Sequence, residues 1–224
     1  MALILHIDTA LTRASVGVAE NGKLLAEREN TVQNSHARFV HNSIKEILTL
    51  INKAPAELDA IGVVSGPGSY TGLRIGMATA KGLCYALGKP LLCVSTLELL
   101  AKAAAEQVPG MDFYCPMIDA RRNEVYTAVY NSTIVPVQQP GALILEEDSF
   151  AGYLREKRGL FTGSGAGKFE KIISPSANAL FKDIIYNGND ISTHIYKSFI
   201  HSEFYDIAYA EPLYLKDFFD TRKQ

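Results

Sequence analysis

The N-terminal half of the chain alternates short apolar runs with amphipathic stretches in an order that few folds accommodate. The runs 3–8 and 14–19 are rich in Val, Ile, Leu and Ala, and Asn21-Gly22 follows before 23–27. Asn-Gly between two such runs is a strong signal of a β-hairpin, because both residues tolerate positive φ. Three consecutive strands are therefore predicted at the start of the chain.

Helices and strands alternate after these strands. The 3.6-residue period and the end signals predict helices at 36–52 (capped by Ser35), 72–87 (ended by Gly88) and 96–106, with strands at 61–65 and 91–94 between them. The predicted order, βββαβαβα, is the connectivity of a ribonuclease-H-like lobe.

The second half repeats the beginning of this plan. Residues 114–119 are apolar and end in Ile-Asp, as residues 3–8 do, and the strand-like segment 124–130 follows. This repetition favours two related lobes, 1–108 and 109–224, with an aspartate at a strand end in each. Further along, helices are predicted near 147–158 and 191–204 and a strand near 160–162, followed by an irregular C-terminus.

Composition and charge argue against several classes of protein. The 22 Lys and Arg are balanced by 24 Asp and Glu, so no global basic field attracts a polyanion, and nucleic-acid binding by the chain alone is disfavoured. Cys84, Cys93 and Cys115 form no C-x-x-C pair, which favours a reducing compartment. Neither a signal peptide nor a run of about 18 apolar residues is present, which predicts a soluble, non-exported protein.

Two glycine-rich segments resemble phosphate-binding loops without matching one. Segment 65–76 is not a dinucleotide-binding fingerprint, because Thr71 stands where that motif needs glycine. Two interpretations remain: a tight strand-to-helix turn, or a contact with a ligand or partner. Segment 163–168 lacks two residues of a P-loop, because Thr162 and Phe169 stand at the required positions. Gly163 and Gly165 remain candidates for close backbone approach to a nucleotide.

Aspartates at the ends of predicted strands are candidates for a degenerate nucleotide site. Asp8 and Asp119, facing each other across a cleft, could hold Mg²⁺-bound phosphates, with Thr9 beside the first of them. Ala10 stands where a glycine would let backbone amides approach a phosphate, which weakens this hypothesis. The alternative is that each aspartate simply ends its strand and caps a turn.

The predicted second helix is apolar nearly all round. Between 72 and 87 only Arg74 and Lys81 are charged, while Gly72, Gly76 and Ala80 form a stripe of small residues. Such a helix is usually buried on more than one side, which favours a partner interface. Coverage by the C-terminal segment of the same chain is the alternative.

Metal and nucleophile motifs are not found. His36 and His41 are five residues apart on a helix, roughly 140° around its axis, and cannot chelate one ion. H-E-x-x-H and G-x-S-x-G motifs are absent. No metal ligand and no catalytic residue is therefore predicted.

Four motifs in order along the chain resemble the TsaB (YeaZ) family. They are Asp8-Thr9, segment 65–76, segment 119–126 (DARRNEVY) and segment 210–214 (AEPLY). The resemblance implies an α/β protein of the actin-like, sugar-kinase and heat-shock-70 type, with two ribonuclease-H-like lobes of which the C-terminal one is reduced. It also implies a non-catalytic dimerisation subunit of the complex that places threonylcarbamoyl on tRNA adenosine.

The resemblance further implies partners for this chain. A TsaD-like paralogue would carry the catalysis on an H-x-x-x-H metal pair, where this chain has Thr96 and Leu100, and a TsaE-like ATPase would be the third component. The partner contacts would come from the first two helices, at His36, Phe39, Val40, Gly72, Leu73, Gly76, Met77 and Ala80. Apart from the resemblance, a surface shaped for a paralogue can be self-complementary, which allows a homodimer when the chain is alone.

The same resemblance bears on ligands and location. It implies no tightly bound cofactor and allows ATP with Mg²⁺ in the complex with the partner. The chain would meet tRNA only through that complex. The cysteine pattern and the lack of a signal peptide or long apolar run predict the cytoplasm, without a membrane.

Two enzyme hypotheses compete with this interpretation. One is an ATP-dependent phosphotransferase that uses Asp8 and Asp119 with Mg²⁺. The other is a glycoprotease-like peptidase, for which the sequence supplies neither a nucleophile–base pair nor a metal site.

Overall fold

The computed structural model describes residues 1–31 and 36–216, in two compact units. Unit 1 contains Met1–Leu99 and Tyr186–Leu213. Unit 2 contains Leu100–Ile185 and the described residues from Tyr214 on. The predicted helix cap, Ser35, lies outside the described residues.

The sheet of unit 1 has five strands in the order β3-β2-β1-β4-β5. The strands are β1 (Leu3–Asp8), β2 (Ala14–Glu20), β3 (Lys23–Asn30), β4 (Ala60–Gly66) and β5 (Leu91–Ser95). The first three are antiparallel, and β4 and β5 run parallel to β1. Asn21 and Gly22 both have positive φ, 51° and 80°, as the predicted hairpin turn requires.

Two helices cover one face of this sheet. Helix α1 (His36–Leu50) and helix α2 (Tyr70–Leu87) contribute apolar side chains to the same core as β1, β2 and β4. Helix α2 begins where the Ser69 hydroxyl accepts a hydrogen bond from the Gly72 amide, and it ends at Gly88, whose φ of 64° is left-handed. Helix α3 (Thr96–Gln107) follows β5, as predicted.

A helix from the second half of the sequence belongs to unit 1. It is Gly188–Ile200 (α6, after two short helices of unit 2), and it contacts β1, β2, β3 and β5. Its Ile195 side chain lies over Gly62, where an added Cβ would come within 2.3 Å of the isoleucine. The division into 1–108 and 109–224 therefore differs from the observed one, because Ile191 and Ile195 bury their side chains in unit 1.

Unit 2 repeats the strand order of unit 1. Its strands are β6 (Phe113–Asp119), β7 (Glu124–Asn131), β8 (Pro136–Ile144), β9 (Gly159–Thr162) and β10 (Ala179–Phe181), in the order β10-β9-β6-β7-β8. Strands β6, β7 and β8 are antiparallel, and β9 and β10 run parallel to β6. The predicted fold class, two ribonuclease-H-like lobes, is confirmed by this correspondence.

The helices of unit 2 are short, which agrees with a reduced second lobe. The helix predicted at 147–158 is only α4 (Ala151–Leu154), and α5 spans Ala166–Glu170. Aromatic side chains form part of the core of this unit. The ring centroids of Phe150, Phe161 and Phe169 lie 5.0–5.3 Å apart, at tilted or edge-to-face angles.

Among the helices described, none combines the length and apolar character that a membrane crossing requires.

Candidate functional site

The end of β1 lies under the glycine-rich turn that precedes α2. The Ser69 amide donates to the Ala10 carbonyl at 2.7 Å, and the Thr9 hydroxyl donates to the Gly72 carbonyl at 2.7 Å. Thr9 and Ala10 are fully buried. The loop after β1 is therefore covered by the chain's own backbone.

The turn before α2 needs glycines because its backbone lies directly against the backbone of Thr9 and Ala10. A Cβ at Gly68 would lie 2.1 Å from the Ala10 carbonyl oxygen, and one at Gly72 would lie 2.0 Å from the Thr9 carbonyl oxygen. Both contacts are far shorter than any real Cβ contact with backbone. Segment 65–76 was expected to be either a tight strand-to-helix turn or a ligand or partner contact. These contacts explain its glycines by the tight turn.

Asp8 is buried, and both of its carboxylate oxygens have donors within unit 1. Oδ1 accepts from the Ala10 amide at 2.9 Å and Oδ2 accepts from the Tyr186 hydroxyl at 2.8 Å. Burial raises the pKa of Asp8, although these hydrogen bonds and the nearby Arg13 oppose the shift. Burial, followed by the charge of Asp8, raises the pKa of Tyr186.

Asp8 and Thr9 do not fit a Mg²⁺–phosphate group. Such a group needs carboxylate oxygens open to water and phosphate, whereas both Asp8 oxygens are occupied and Thr9 is buried. Gly68 and Gly72 also pack directly against the carbonyl groups of Ala10 and Thr9. Asp8 and Thr9 thus belong to a structural hydrogen-bond network, and a nucleotide contact at either one stays a prediction.

We expect Tyr186→Phe to lower the free energy of unfolding by about 1–3 kcal/mol, because Asp8 Oδ2 would lose its buried donor. Urea denaturation at neutral pH measures the change. Tyr85→Phe is the matched control, since Tyr85 is 82% exposed and the same loss of a hydroxyl should cost less than about 0.5 kcal/mol. Equal effects of the two variants would contradict the structural role of the Tyr186 hydroxyl.

Asp119, at the equivalent end of β6 in unit 2, has a different environment. Its side chain is 45% exposed, and Oδ1 accepts from Lys168 Nζ at 2.7 Å and from the Arg121 amide at 2.6 Å. Partial burial raises its pKa, but the hydrogen bonds from Lys168 and Arg121 outweigh burial and leave the pKa lowered. Asp119 is therefore a paired carboxylate near the surface.

Gly163 and Gly165 pack against the strand that ends in Asp119. Gly163 has a φ of 92°, and its Cβ would lie 2.6 Å from the Met117 carbonyl oxygen. The Gly165 amide donates to that same oxygen at 2.9 Å. Close packing within unit 2 accounts for both glycines, and a nucleotide contact at either one stays a prediction.

Most of the residues predicted to contact a partner are buried within unit 1. Gly72, Leu73, Gly76, Met77 and Ala80 are all buried residues of α2. A Cβ at Gly76 would meet the Thr9 hydroxyl oxygen at 2.5 Å, so the stripe of small residues faces β1. These five residues are corrected from surface contacts to internal packing, because their small size lets α2 approach the sheet.

The interface residues predicted on α1 are also largely internal. Val40 is fully buried in the core, Phe39 packs against that core, and His36 is 8% exposed. His36 and Val40 therefore position α1 on the sheet, whereas Phe39 keeps part of its ring exposed.

The open face of α2 is the opposite one. Ala78, Gly82, Tyr85 and Ala86 are exposed, and no atom lies within 4 Å of the position of a Cβ at Gly82. At one edge, Lys81 Nζ donates to the carbonyls of residues 208 and 210 and so holds the C-terminal segment of unit 1 beside the helix. Sequence reasoning missed this face because both sides of α2 carry small residues, and only the packing distinguishes them.

Metal ligands are not gathered at one place in the described part of the chain. No three His, Cys, Asp or Glu residues lie together there so that they could hold an ion. Thr96 and Leu100, at the predicted counterpart of the paralogue's histidine pair, are both buried.

A family model described as "TsaD: tRNA N6-adenosine threonylcarbamoyltransferase" matches residues 24–210. A Bacillus subtilis protein named tRNA threonylcarbamoyladenosine biosynthesis protein TsaB is 36% identical over 57% of this chain and 54% of its own length. The Escherichia coli protein of the same name is 35% identical over the same shares. The matches thus span about half the length of these curated relatives.

Solved structures match over a larger share of the chain. The structure of YeaZ from Pseudomonas aeruginosa has a TM-score of 0.81 and 26% sequence identity, and the match covers 96% of this chain and 100% of that one. Another structure, described as similar to peptidase YEAZ from the same organism, has a TM-score of 0.83 with the same identity and coverage.

Proposed function

The chain belongs to the TsaB (YeaZ) family, and from this membership we propose that it is a non-catalytic dimerisation subunit for the synthesis of threonylcarbamoyladenosine in tRNA. In this role it binds a TsaD-like paralogue that carries out the chemistry, with a TsaE-like ATPase as third component. It meets tRNA through that complex, which implies a cytoplasmic location.

The observation that carries the non-catalytic role is the environment of Asp8. Both carboxylate oxygens are bonded within unit 1, and the turn of Gly68 and Gly72 covers the adjacent backbone. An ATP-dependent phosphotransferase would need this carboxylate open to a metal-bound phosphate. We therefore assign ATP with Mg²⁺ to the complex with the partner and no tightly bound cofactor to this chain.

The cysteine thiols give no support to a peptidase activity. Burial raises the pKa of Cys84 to about 11 and that of Cys93 and of Cys115 to about 12. A cysteine nucleophile reacts as the thiolate, so these thiols are neutral and unreactive at physiological pH. The likeness to a structure described as peptidase-like therefore has no counterpart in these side chains.

The exposed face of α2 is the surface we assign to the partner. Ala78, Gly82 and Ala86 allow close approach of a second helix, and Tyr85 supplies an aromatic side chain that is 82% exposed. Small residues with an aromatic anchor are typical of packed helix interfaces. Two copies of the chain are expected to pair through this face when the partner is absent.

Ala78→Glu tests the pairing. We expect it to weaken binding to the H-x-x-x-H paralogue at least tenfold, because a carboxylate would be buried without a partner in the interface. Size-exclusion chromatography with light scattering and a titration with the purified paralogue measure the complex, and tRNA modification by the reconstituted complex measures its activity. Gly152→Glu, at an exposed glycine of unit 2 with no atom near its Cβ position, is the matched control.

The result separates the possible errors. Binding of Ala78→Glu at the parent's affinity would show that this face is not the interface. A parent chain that forms no complex with the paralogue would overturn the proposed function itself.

A further inference from the structure

An open groove of about 290 Å³ lies between helix α1 and the edge strand β3 of unit 1. Arg28 and Asn30 line it from the strand, and Arg38, Phe39, Asn42 and Glu46 line it from the helix. Its volume is just below the range of small-ligand sites, about 300–1,000 Å³. None of its lining residues belongs to the Asp8 network or to the exposed face of α2.

The groove carries positive charge on a chain whose formal net charge is -2. Arg28 and Arg38 are opposed by one carboxylate, that of Glu46. Arg38 is exposed and forms no ion pair with any carboxylate that the structure describes. An anionic ligand would therefore meet one net positive charge there.

Arg28 has one hydrogen-bond acceptor and one ion-pair partner. Its Nη1 donates to the Glu27 carbonyl at 3.1 Å, and its Nε lies 3.5 Å from Glu46 Oε2. A guanidinium has five N–H donors, so these contacts fix its plane and leave the Nη2 donors for a ligand. Preorganised guanidinium groups suit the oxygens of a phosphate, which they bind through parallel hydrogen bonds.

The remaining lining side chains suit a nucleoside. Phe39 is half-buried against the core, so its ring is held in place and offers an apolar surface to a base. The Asn42 amide supplies both donors and an acceptor, which the edge of a base requires. We propose that the groove between α1 and β3 binds a ribonucleotide phosphate, with Arg28 and Arg38 on the phosphate and Phe39 against the base.

A ribonucleotide phosphate has two sources, a free nucleotide and an RNA strand. The RNA source rests on the proposed function, whereas the nucleotide source does not. The test uses two probes at about 50 mM salt: AMP with the full chain, by calorimetry, and an unmodified tRNA transcript with the complex of the chain and its paralogue, by fluorescence anisotropy. Binding of AMP alone indicates a mononucleotide site, and binding of the transcript alone indicates an RNA contact.

Arg38→Gln is the informative variant. We expect it to weaken binding of the responding probe about tenfold, and for RNA to reduce the slope of log K against log salt by about one, as for one lost phosphate contact. Lys45→Gln removes the same charge from an exposed position of α1 outside the groove and should change the affinity less than about twofold.

Two results would overturn the proposal. One is equal weakening by Arg38→Gln and Lys45→Gln, which would mean that only overall charge matters. The other is no binding of either probe at concentrations up to about 5 mM AMP or about 100 μM transcript. Because Ala78→Glu leaves the groove intact, AMP binding by that variant separates this proposal from the pairing through α2.

Discussion

Alanine at Gly72 is expected to lower the free energy of unfolding of unit 1 by about 2–3 kcal/mol, whereas alanine at Gly82 is expected to raise it by about 1 kcal/mol. Both glycines are in helix α2, and both changes add one methyl group. At Gly72 the new Cβ would lie 2.0 Å from the Thr9 carbonyl oxygen, so backbone must shift. At Gly82 no atom lies within 4 Å, so only the better helix propensity of alanine acts.

Urea denaturation, followed by hydrogen exchange of the β1 amides, measures unit 1 by itself. The two variants control for each other, because they share the chemistry and the helix and differ only in the neighbours of the added methyl group. Changes of the same sign and size at both positions would contradict the assignment of Gly72 to the sheet side of α2. They would also return Gly72 to the list of possible partner contacts.

Acid is expected to destabilise unit 1 through His6. Burial lowers the pKa of His6 from 6.5 to about 4. The Ser192 hydroxyl donates to the Gly188 carbonyl at 2.6 Å, so the 3.1 Å contact between Ser192 Oγ and His6 Nε2 requires a proton on Nε2. Nδ1 of His6 is buried and has no hydrogen-bond partner among the described residues, so a second proton there would be unsatisfied.

The sign follows from proton uptake. Between pH 6.5 and about 4 the unfolded chain carries the proton on His6 and the folded chain does not, so stability falls as the pH falls. The loss is complete below about pH 4 and amounts to about 3 kcal/mol. Asp8 has the opposite effect, because its raised pKa makes the folded state bind a proton first as the pH falls.

A comparison with His6→Gln isolates the histidine, because both proteins retain Asp8. We expect the difference in free energy of unfolding between the parent and His6→Gln to decrease by about 3 kcal/mol from pH 7 to pH 4. His41→Gln is the control, since His41 is an exposed residue of α1, and its difference from the parent should vary by less than about 0.5 kcal/mol. A constant difference for His6→Gln would contradict a buried, neutral His6.

Local sequence signals identified most elements of the fold. Asn21-Gly22 determined the first hairpin because both residues adopt positive φ, and Gly88 ended α2 for the same reason. Strand β8 was missed because Pro136, Pro140 and Gly141 disfavour a strand, and an edge position tolerates them. The predicted helix at 147–158 was too long, since only Ala151–Leu154 is helical.

The candidate site depended more strongly on distant contacts. The sequence located Asp8 at a strand end, but its partner Tyr186 is 178 residues away and belongs to a segment without a readable motif. The groove between α1 and β3 is likewise lined by residues of a strand and of a helix. Neither element carries a ligand-binding motif in its sequence. Side chains that come into contact only in the folded chain do not produce a recognisable motif with fixed spacing in the sequence.

By itself the sequence determined the family, the succession of strands and helices in the first lobe and the small-residue character of α2, because periodicity, turns and helix ends depend on neighbours along the chain. Only the tertiary structure decided what these features do. The stripe of Gly72, Gly76 and Ala80 faces β1, and Asp8 accepts a hydrogen bond from Tyr186. The helix Gly188–Ile200 packs in unit 1 although it lies in the second half of the sequence. The physical reason is that burial and hydrogen-bond partners depend on which surfaces meet, and residues far apart in the sequence supply those surfaces.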